Sequence, residues 1–131
     1  MIIDTNIYSG LKNNDQPTVR VLGATNRIAL PLPVVAELKY GFIKGARTTL
    51  NESMLSDFLA QRYTQVLFPS TSTCDLYAEL NLYTKQKGRA LSNNDIWIAA
   101  LSREDGDTLL TFDRDFEVFK DIFGDKLKIL S

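Results

Sequence analysis

Five short apolar segments alternate with longer stretches of helical periodicity, and this alternation constrains the fold more than any other feature. The segments lack the polar alternation of half-exposed strands, so we expect strands that are buried on both faces. Predicted strands lie at 1–3, 27–30, 66–68, 108–111 and 127–130. The pattern predicts an α/β fold, a three-layer α/β/α sandwich with a central parallel sheet. No linker or repeat interrupts the 131 residues, so we expect a single domain over 1–131.

Local signals predict where the helices begin. One helix is expected from about Thr5, a second after Pro17, a third with Pro33 in its first turn, and a short one over 116–123. Three further helices are expected to begin with capping boxes, in which a Ser or Thr is followed three residues later by an acid. These boxes are Thr49-x-x-Glu52, Ser72-x-x-Asp75 and Ser92-x-x-Asp95.

The chain contains no histidine and a single cysteine, Cys74. This composition excludes Ser-His-Asp and Cys-His nucleophilic chemistry and leaves too few ligands for a structural zinc site. Any bound metal would be a hard cation held by carboxylates, such as Mg²⁺, Mn²⁺ or Ca²⁺. A lone cysteine also forms no internal disulfide, which fits a reducing, cytoplasmic setting. No apolar run reaches the roughly 18 residues that cross a bilayer, so no membrane association is expected.

The overall charge does not indicate a nucleic-acid-binding protein, because the net charge is −1 and the isoelectric point is near 5.4. The charge is unevenly distributed, with a basic first half and an acidic second half. Such a distribution could form a phosphate-binding rim facing a metal site. Solvated helix faces are the other interpretation, and charge alone favours it.

Four carboxylates occupy positions where an α/β sheet places its ligands. Asp4 and Asp113 directly follow predicted strands, and Asp95 lies in the first turn of a predicted helix. Glu37 shares the apolar face of its helix with Val34, where a carboxylate is costly unless it is paired, protonated or bound to metal. Because these positions should converge at one end of the sheet, they predict a metal site.

Each of these acids also has a purely structural interpretation. Asp4 could cap the first helix, and Asp95 could be no more than part of a capping box. Asp75 has the same position in a box of the same form and is assigned no function. Asp113 and Asp115 could cap the helix that starts near residue 116. Glu37 has no such alternative, because the middle of a helix offers its carboxylate no free backbone donor.

Four segments of the chain carry a recognisable set of motifs, and together they span nearly all of it. They read D-T-N at 4–6, L-P-V-V-A-E-L-K-Y-G at 32–41, N-N-D-I-W-I-A-A at 93–100 and L-T-F-D-R-D-F at 110–116. In this order and spacing they resemble the motifs of PIN-domain ribonucleases. The closest resemblance within that family is to the VapC-type toxins of bacterial toxin–antitoxin pairs.

The resemblance implies a PIN-like fold and a Mg²⁺- or Mn²⁺-dependent endoribonuclease that hydrolyses phosphodiester bonds of structured RNA, such as transfer or ribosomal RNA. It assigns both the catalytic and the metal-binding roles to Asp4, Glu37, Asp95 and Asp113. Positions that orient these acids are matched by Asn6 and Thr111, and Asp115 could share or replace the role of Asp113.

The resemblance also implies a cognate antitoxin protein that inserts a peptide segment across the active-site groove, and we expect a homodimer. Candidate antitoxin contacts lie on the helices at 40–47 and 49–58, although core packing of these side chains is an equal alternative. The apolar candidates are Phe42, Ile43, Leu50, Met54 and Leu55.

Two other functions compete with the ribonuclease prediction. A phosphatase on a flavodoxin-like sheet would need a second Asp where this chain has Asn6. A catalytically silent module that binds RNA or protein would be favoured by the loss of an acid, but all four acids are present.

Overall fold

The computed structural model describes residues 1–131 and contains five strands and seven α-helices. The strands are β1 Ile2–Ile3, β2 Ile28–Pro31, β3 Thr64–Leu67, β4 Leu109–Thr111 and β5 Leu127–Ile129. The helices are α1 Thr5–Lys12, α2 Gln16–Gly23, α3 Leu32–Lys44, α4 Thr48–Leu59, α5 Thr71–Gln86, α6 Asn93–Asp105 and α7 Lys120–Phe123, with 3₁₀ helices at Arg114–Phe119 and Gly124–Lys126.

All five strands are parallel and lie in the order β3-β2-β1-β4-β5, which confirms the predicted α/β/α architecture. The chain runs outward from the central β1 to β3 and then returns to β4 on the other side of β1. The strand order therefore reverses between β1 and β4. In open α/β sheets such a switch point opens a crevice at the carboxyl ends of the strands, and ligands bind there.

The core fixes both the central strands and the helix α6. Ile2 and Ile3 of β1 are fully buried, and burial of each side chain contributes roughly 1.5–3 kcal/mol. Helix α6 is buried over most of its surface, with Ile96 and Ile98 fully enclosed. Asp95, in the first turn of α6, directly precedes the fully buried Ile96. No helix is both long enough and apolar enough to cross a membrane.

Two of the three predicted capping boxes are wrong. Helix α4 begins at Thr48 without a side-chain cap, because Glu52 forms an ion pair with Lys39 of α3 at 2.7 Å instead. Helix α5 begins at Thr71 with a box made by Ser70 and Thr73, and not by Ser72 and Asp75. The third box is partly confirmed, because the Ser92 hydroxyl accepts a hydrogen bond from the Asp95 N–H at 3.2 Å.

Helix α2 begins one residue before Pro17, at Gln16, because Asp15 caps it. One carboxylate oxygen of Asp15 accepts hydrogen bonds from the N–H and the hydroxyl of Thr18, at 3.1 and 2.7 Å. Gly10 leaves room for this cap, since a Cβ there would lie 2.8 Å from the Thr18 hydroxyl oxygen.

Two further elements differ from the prediction by two residues or more, whereas the other strand boundaries shift by one residue at most. The edge strand β3 ends at Leu67 and leaves Phe68 exposed, because its pairing with β2 starts at the polar residue Thr64. The helix predicted over 116–123 is a 3₁₀ helix from Arg114 followed by the short α7.

Candidate active site

Asp4 lies at the carboxyl end of β1 and is 5% exposed. One of its oxygens caps α1 by accepting from the Thr5 N–H at 2.8 Å. The other accepts from the Thr111 hydroxyl at 2.6 Å. The capping interpretation is therefore correct, but it uses one oxygen only, and the other belongs to a network that reaches the neighbouring strand.

Thr111 connects Asp4 to Asp113 across the switch point. Its hydroxyl donates to Asp4 and accepts from the Asp113 N–H at 2.9 Å. Asn6 strengthens the same junction, because its side-chain oxygen accepts from the Phe112 N–H at 3.1 Å. The Asn6 amide nitrogen also lies 3.5 Å from Asp4. These contacts fix the direction of the Asp4 carboxylate and the position of the Asp113 backbone.

Asp113 and Asp115 occupy different environments. Asp113 is half-buried, and one of its oxygens caps the following 3₁₀ helix by accepting from the Asp115 N–H at 2.9 Å. Its charge raises the pKa of Asp4. Asp115 is exposed, and its charge is not among the causes that raise the pKa of Asp4, Glu37 or Asp95. The geometry favours Asp113 as the fourth acid.

Glu37 points inward from the middle of α3, as its position beside the buried Val34 and Leu38 predicted. Gly41, four residues after Glu37, is exposed. The Oε1 atom of Glu37 is buried and has no hydrogen-bond partner. A buried carboxylate oxygen without a partner is costly, so this atom requires an explanation.

The four predicted acids act on one another electrostatically. Burial raises the pKa of Asp4, of Glu37 and of Asp95, and it is the largest cause in each case. The charge of Asp4 adds to the effect at Glu37 and Asp95, and the charge of Asp113 adds to it at Asp4 and Asp95. None of the four forms an ion pair. We call these four residues the acid cluster.

The acid cluster fits a divalent cation in its chemistry. Carboxylate oxygens are the ligands that Mg²⁺ and Mn²⁺ prefer, and the unpaired Oε1 of Glu37 is an acceptor without a donor. In their present orientations no three acidic or thiol side chains converge closely enough to hold an ion by themselves. Mg²⁺ usually keeps several waters and takes one or two carboxylates directly, so such convergence is not required.

One polar residue of the site was missed by sequence analysis. The hydroxyl of Thr5 is buried and lacks a hydrogen-bond partner. Its position directly after Asp4 was the available signal, but a Thr at the start of a helix is ordinary. Two other residues take no part in the site, since both Asp75 and Cys74 are exposed on α5.

The helices predicted to face a protein partner are only partly exposed. Ile43 and Leu50 are 71% and 52% exposed, whereas Leu55 is 1% exposed and belongs to the core, so the candidacy of Leu55 was wrong. Phe42 and Met54 are half-buried beside a cavity of about 210 Å³ between α1, α3 and α4. The other residues that line this cavity are Tyr8, Ser9, Lys12, Asn13, Leu38 and Asn51.

Comparison with known proteins gives consistent matches along the chain. A family model described as "PIN domain" matches residues 1–122. The chain is 33% identical over 114 residues to Ribonuclease VapC2 of Rickettsia felis, with 84% of each protein covered. It is 24% identical over 115 residues to Ribonuclease VapC5 of Mycobacterium tuberculosis, with 88% of this chain and 84% of that protein covered.

Solved structures show the same fold. The structure of VapBC2 from Rickettsia felis bound to a promoter DNA fragment aligns with a TM-score of 0.81 and 28% identity, covering 99% of this chain and 98% of that one. VapBC-1 from nontypeable Haemophilus influenzae aligns with a TM-score of 0.80 and 21% identity, covering 99% and 96%. At that lower identity the likeness concerns the fold alone.

Proposed function

The chain belongs to the PIN-domain family, and from this premise we propose that it is a Mg²⁺- or Mn²⁺-dependent endoribonuclease acting on structured RNA, such as transfer or ribosomal RNA. The observation that carries the proposal is the buried, unpaired Oε1 of Glu37 within the acid cluster. The relatives named as ribonucleases support the reaction class.

Asp4, Glu37, Asp95 and Asp113 are the residues that would hold the cation. When bound, such an ion lowers the pKa of a coordinated water and holds the scissile phosphate. The acids alone would repel an anionic phosphodiester, so the cluster suits this substrate only with a cation between them. Thr111 holds the Asp4 carboxylate in a fixed direction, and Thr111 and Asn6 together hold the backbone at 112–113, which limits the reorganisation needed during the reaction.

The direct test is to incubate the purified protein with total RNA in Mg²⁺, in Mn²⁺ and in EDTA, and to map the cut ends. We expect discrete internal cuts that depend on the metal. Asp75→Asn, which changes an exposed acid outside the cluster, should cut like the wild type. Equal cleavage in EDTA would contradict the proposed chemistry, and an absence of cleavage in both metals would contradict the enzyme assignment.

The regulatory partner is proposed to be an antitoxin protein, because similar chains occur in VapBC structures. Exposed apolar side chains on α3 and α4, such as Ile43 and Leu50, and the cavity beside them offer anchors for a peptide. An Arg of such a peptide could engage the acid cluster with two parallel hydrogen bonds. A homodimer is part of the same proposal.

Titration calorimetry on the toxin and its antitoxin tests this arrangement. Asp4→Asn should lose part of the antitoxin affinity, and added Mg²⁺ should compete with an inserted Arg, because both use the same carboxylates. Affinity that is indifferent to the substitution and to the metal would place the inhibitor elsewhere, on the α3 and α4 surface alone.

A further inference from the structure

The segment that leads from α5 into α6 is cationic and free of acids. Residues 80–94 contain no Asp or Glu, and three basic residues lie close together in this stretch, at Lys85, Lys87 and Arg89. All three are exposed, and none forms an ion pair. We call these three residues the cationic turn.

Backbone hydrogen bonds fix the shape of the cationic turn. The Gly88 N–H donates to the Lys85 carbonyl at 3.1 Å, and the Arg89 N–H donates to the Thr84 carbonyl at 2.9 Å. Gly88 has a φ of +69°, a left-handed conformation that glycine adopts without strain. This combination is the Schellman motif, which ends many helices. The backbone at Arg89 therefore has a defined position after the end of α5.

The cationic turn lies close to the first turn of α6, which carries one acid of the cluster. Arg89 is three residues before Ser92, and three residues of chain span at most about 11 Å. The Ser92 hydroxyl accepts from the Asp95 N–H at 3.2 Å. The Tyr77 hydroxyl donates to Oδ1 of Asn93 at 3.1 Å, which joins α5 to the same turn of α6.

Aromatic contacts connect the cationic turn to the element that follows another acid of the cluster. The Lys87 Nζ lies 5.4 Å from the centroid of the Tyr83 ring. That ring stacks on Phe119 with a centroid distance of 6.5 Å. Phe119 ends the 3₁₀ helix that Asp113 caps. The cationic turn is thus attached both to α6, which carries Asp95, and to the 3₁₀ helix after Asp113.

An RNA substrate needs cations of this kind beside the acid cluster. The net charge of −1 gives the protein no general attraction for a polyanion. A metal ion in the acid cluster would engage the phosphate that is cut, but the flanking phosphates need Lys or Arg side chains, which supply most of the sequence-independent affinity. Side chains without an ion-pair partner can make such contacts without first breaking another one.

We propose that the cationic turn binds the phosphate backbone of the RNA substrate beside the acid cluster. The role rests on the proposed function, since it takes RNA as the substrate. Lys85 and Lys87 also complement the negative end of the α5 dipole. That structural role affects the stability of the fold but brings no affinity for RNA, so the two roles can be measured separately.

The test measures affinity for a fluorescein-labelled transfer RNA by fluorescence anisotropy, in EDTA and over a range of KCl concentrations. The double variant Lys87→Gln with Arg89→Gln should bind the RNA more weakly than the wild type at low salt. Each lost phosphate contact reduces the slope of log affinity against log salt by about 1, so the slope should fall in magnitude by about 2. With Mg²⁺ present, the same variant should raise KM for cleavage and leave kcat nearly unchanged, because it loses binding that is equal in the ground and transition states.

The matched control is Arg62→Gln with Lys126→Gln, which also removes one Lys and one Arg. Arg62 and Lys126 shortly precede β3 and β5, at the other end of the sheet from the acid cluster. Both are exposed, and neither forms an ion pair. The control should keep the wild-type salt slope. Unfolding temperatures in EDTA show whether either double variant has lost stability.

Two results would overturn the role of the cationic turn. One is a wild-type salt slope in the double variant of Lys87 and Arg89, whatever its stability. The other is an equal loss of affinity in both double variants, because net charge would then account for it. Neither result would contradict metal-dependent cleavage. A selective loss of affinity in a protein that cuts no RNA in either metal would refute the proposed endoribonuclease and support the cationic turn as an RNA-binding surface.

Discussion

Acidic side chains gather at both ends of the same parallel sheet, but only one of the two groups is neutralised by cations. At the amino ends of the strands, Arg27 contacts Asp105 at 2.7 Å and Asp107 at 3.1 Å. The amino group of Met1 also contacts Asp107, at 2.8 Å. We call these four residues the ion-pair network. At the carboxyl ends, the acid cluster has no ion pair.

The pKa values of the acids in the ion-pair network and in the acid cluster shift in opposite directions because of this difference. Hydrogen bonding to Arg27 lowers the pKa of Asp105. Burial alone would raise the pKa of Asp107, but hydrogen bonds and the positive charges of the amino terminus and Arg27 lower it to about 2. In the acid cluster, burial and mutual repulsion raise the pKa of Asp4, Glu37 and Asp95.

The structural acids differ from the proposed catalytic acids in whether their charges are paired within the chain. The ion-pair network is complete within the chain, so it needs nothing from outside to be stable. The acid cluster costs stability as it stands, because its charges are partly desolvated and unpaired. A chain that keeps such a cluster at its switch point is expected to use it on a ligand of opposite charge.

The largest expected effect is on RNA cleavage. Asp4→Asn, Glu37→Gln, Asp95→Asn and Asp113→Asn should each lose about 100-fold or more in cleavage rate, because each removes a proposed metal ligand. Asp105→Asn should keep the wild-type rate, because it lies at the other end of the sheet. Rates on one mapped RNA site, with folding checked by circular dichroism, make the measurement.

The proposed difference between the acid cluster and the ion-pair network would be contradicted if any two of the acid-cluster variants kept full activity. It would also fail if Asp105→Asn lost activity while remaining folded, because the ion-pair network would then be part of the active site.

Removing an acid of the cluster is expected to have a smaller effect on the stability of the metal-free protein, and there the substitution should be stabilising. Raised pKa values mean that the folded acid cluster binds protons more tightly than the unfolded chain does, so stability is lost as pH rises above the ordinary carboxyl range. Glu37→Gln should therefore be more stable than the wild type in EDTA near pH 7, by on the order of 1 kcal/mol. The gain should shrink as the pH is lowered toward about 4.

The ion-pair network should behave in the reverse way. A lowered pKa contributes stability that is present above the unfolded value and is lost as pH falls through the folded value. Asp105→Asn should cost about 1 kcal/mol at pH 7, a modest value because the pair is partly exposed. This cost should shrink below about pH 4. The test is urea unfolding of Glu37→Gln and Asp105→Asn between pH 3.5 and 7.5. If both substitutions changed the free energy of unfolding in the same direction, the acid cluster and the ion-pair network would not differ in energy.

The strands and the positions of the four acids in the fold were predictable because both depend on local pattern. A continuous apolar run such as Ile2–Ile3 has few alternatives to a buried strand. An acid that directly follows such a strand lies at the carboxyl end of the sheet. Glu37 was predictable for a similar reason, since the periodicity of α3 alone places it inward.

The start of α5 was not predictable, because its local sequence offers several equivalent caps. Residues 70–73 are Ser-Thr-Ser-Thr, and any of the first three could begin a helix. The choice depends on Glu104 of α6, whose carboxylate accepts from the hydroxyls of Ser72 and Thr73 at 2.7 and 2.6 Å. A contact between residues so far apart in the chain cannot be predicted from the local sequence.

The smallest expected effect comes from an acid in neither group, and it sets the baseline for the comparison. Asp75 is exposed on α5, makes no ion pair and takes no part in the capping box. Asp75→Asn should change the free energy of unfolding by no more than about 0.5 kcal/mol at any pH, and leave RNA cleavage and Mn²⁺ affinity unchanged. If Asp75→Asn shifted the pH dependence of stability as much as Asp105→Asn or Glu37→Gln does, the general charge balance of the protein would account for all three variants. The two acidic groups would then differ in geometry but not in energy.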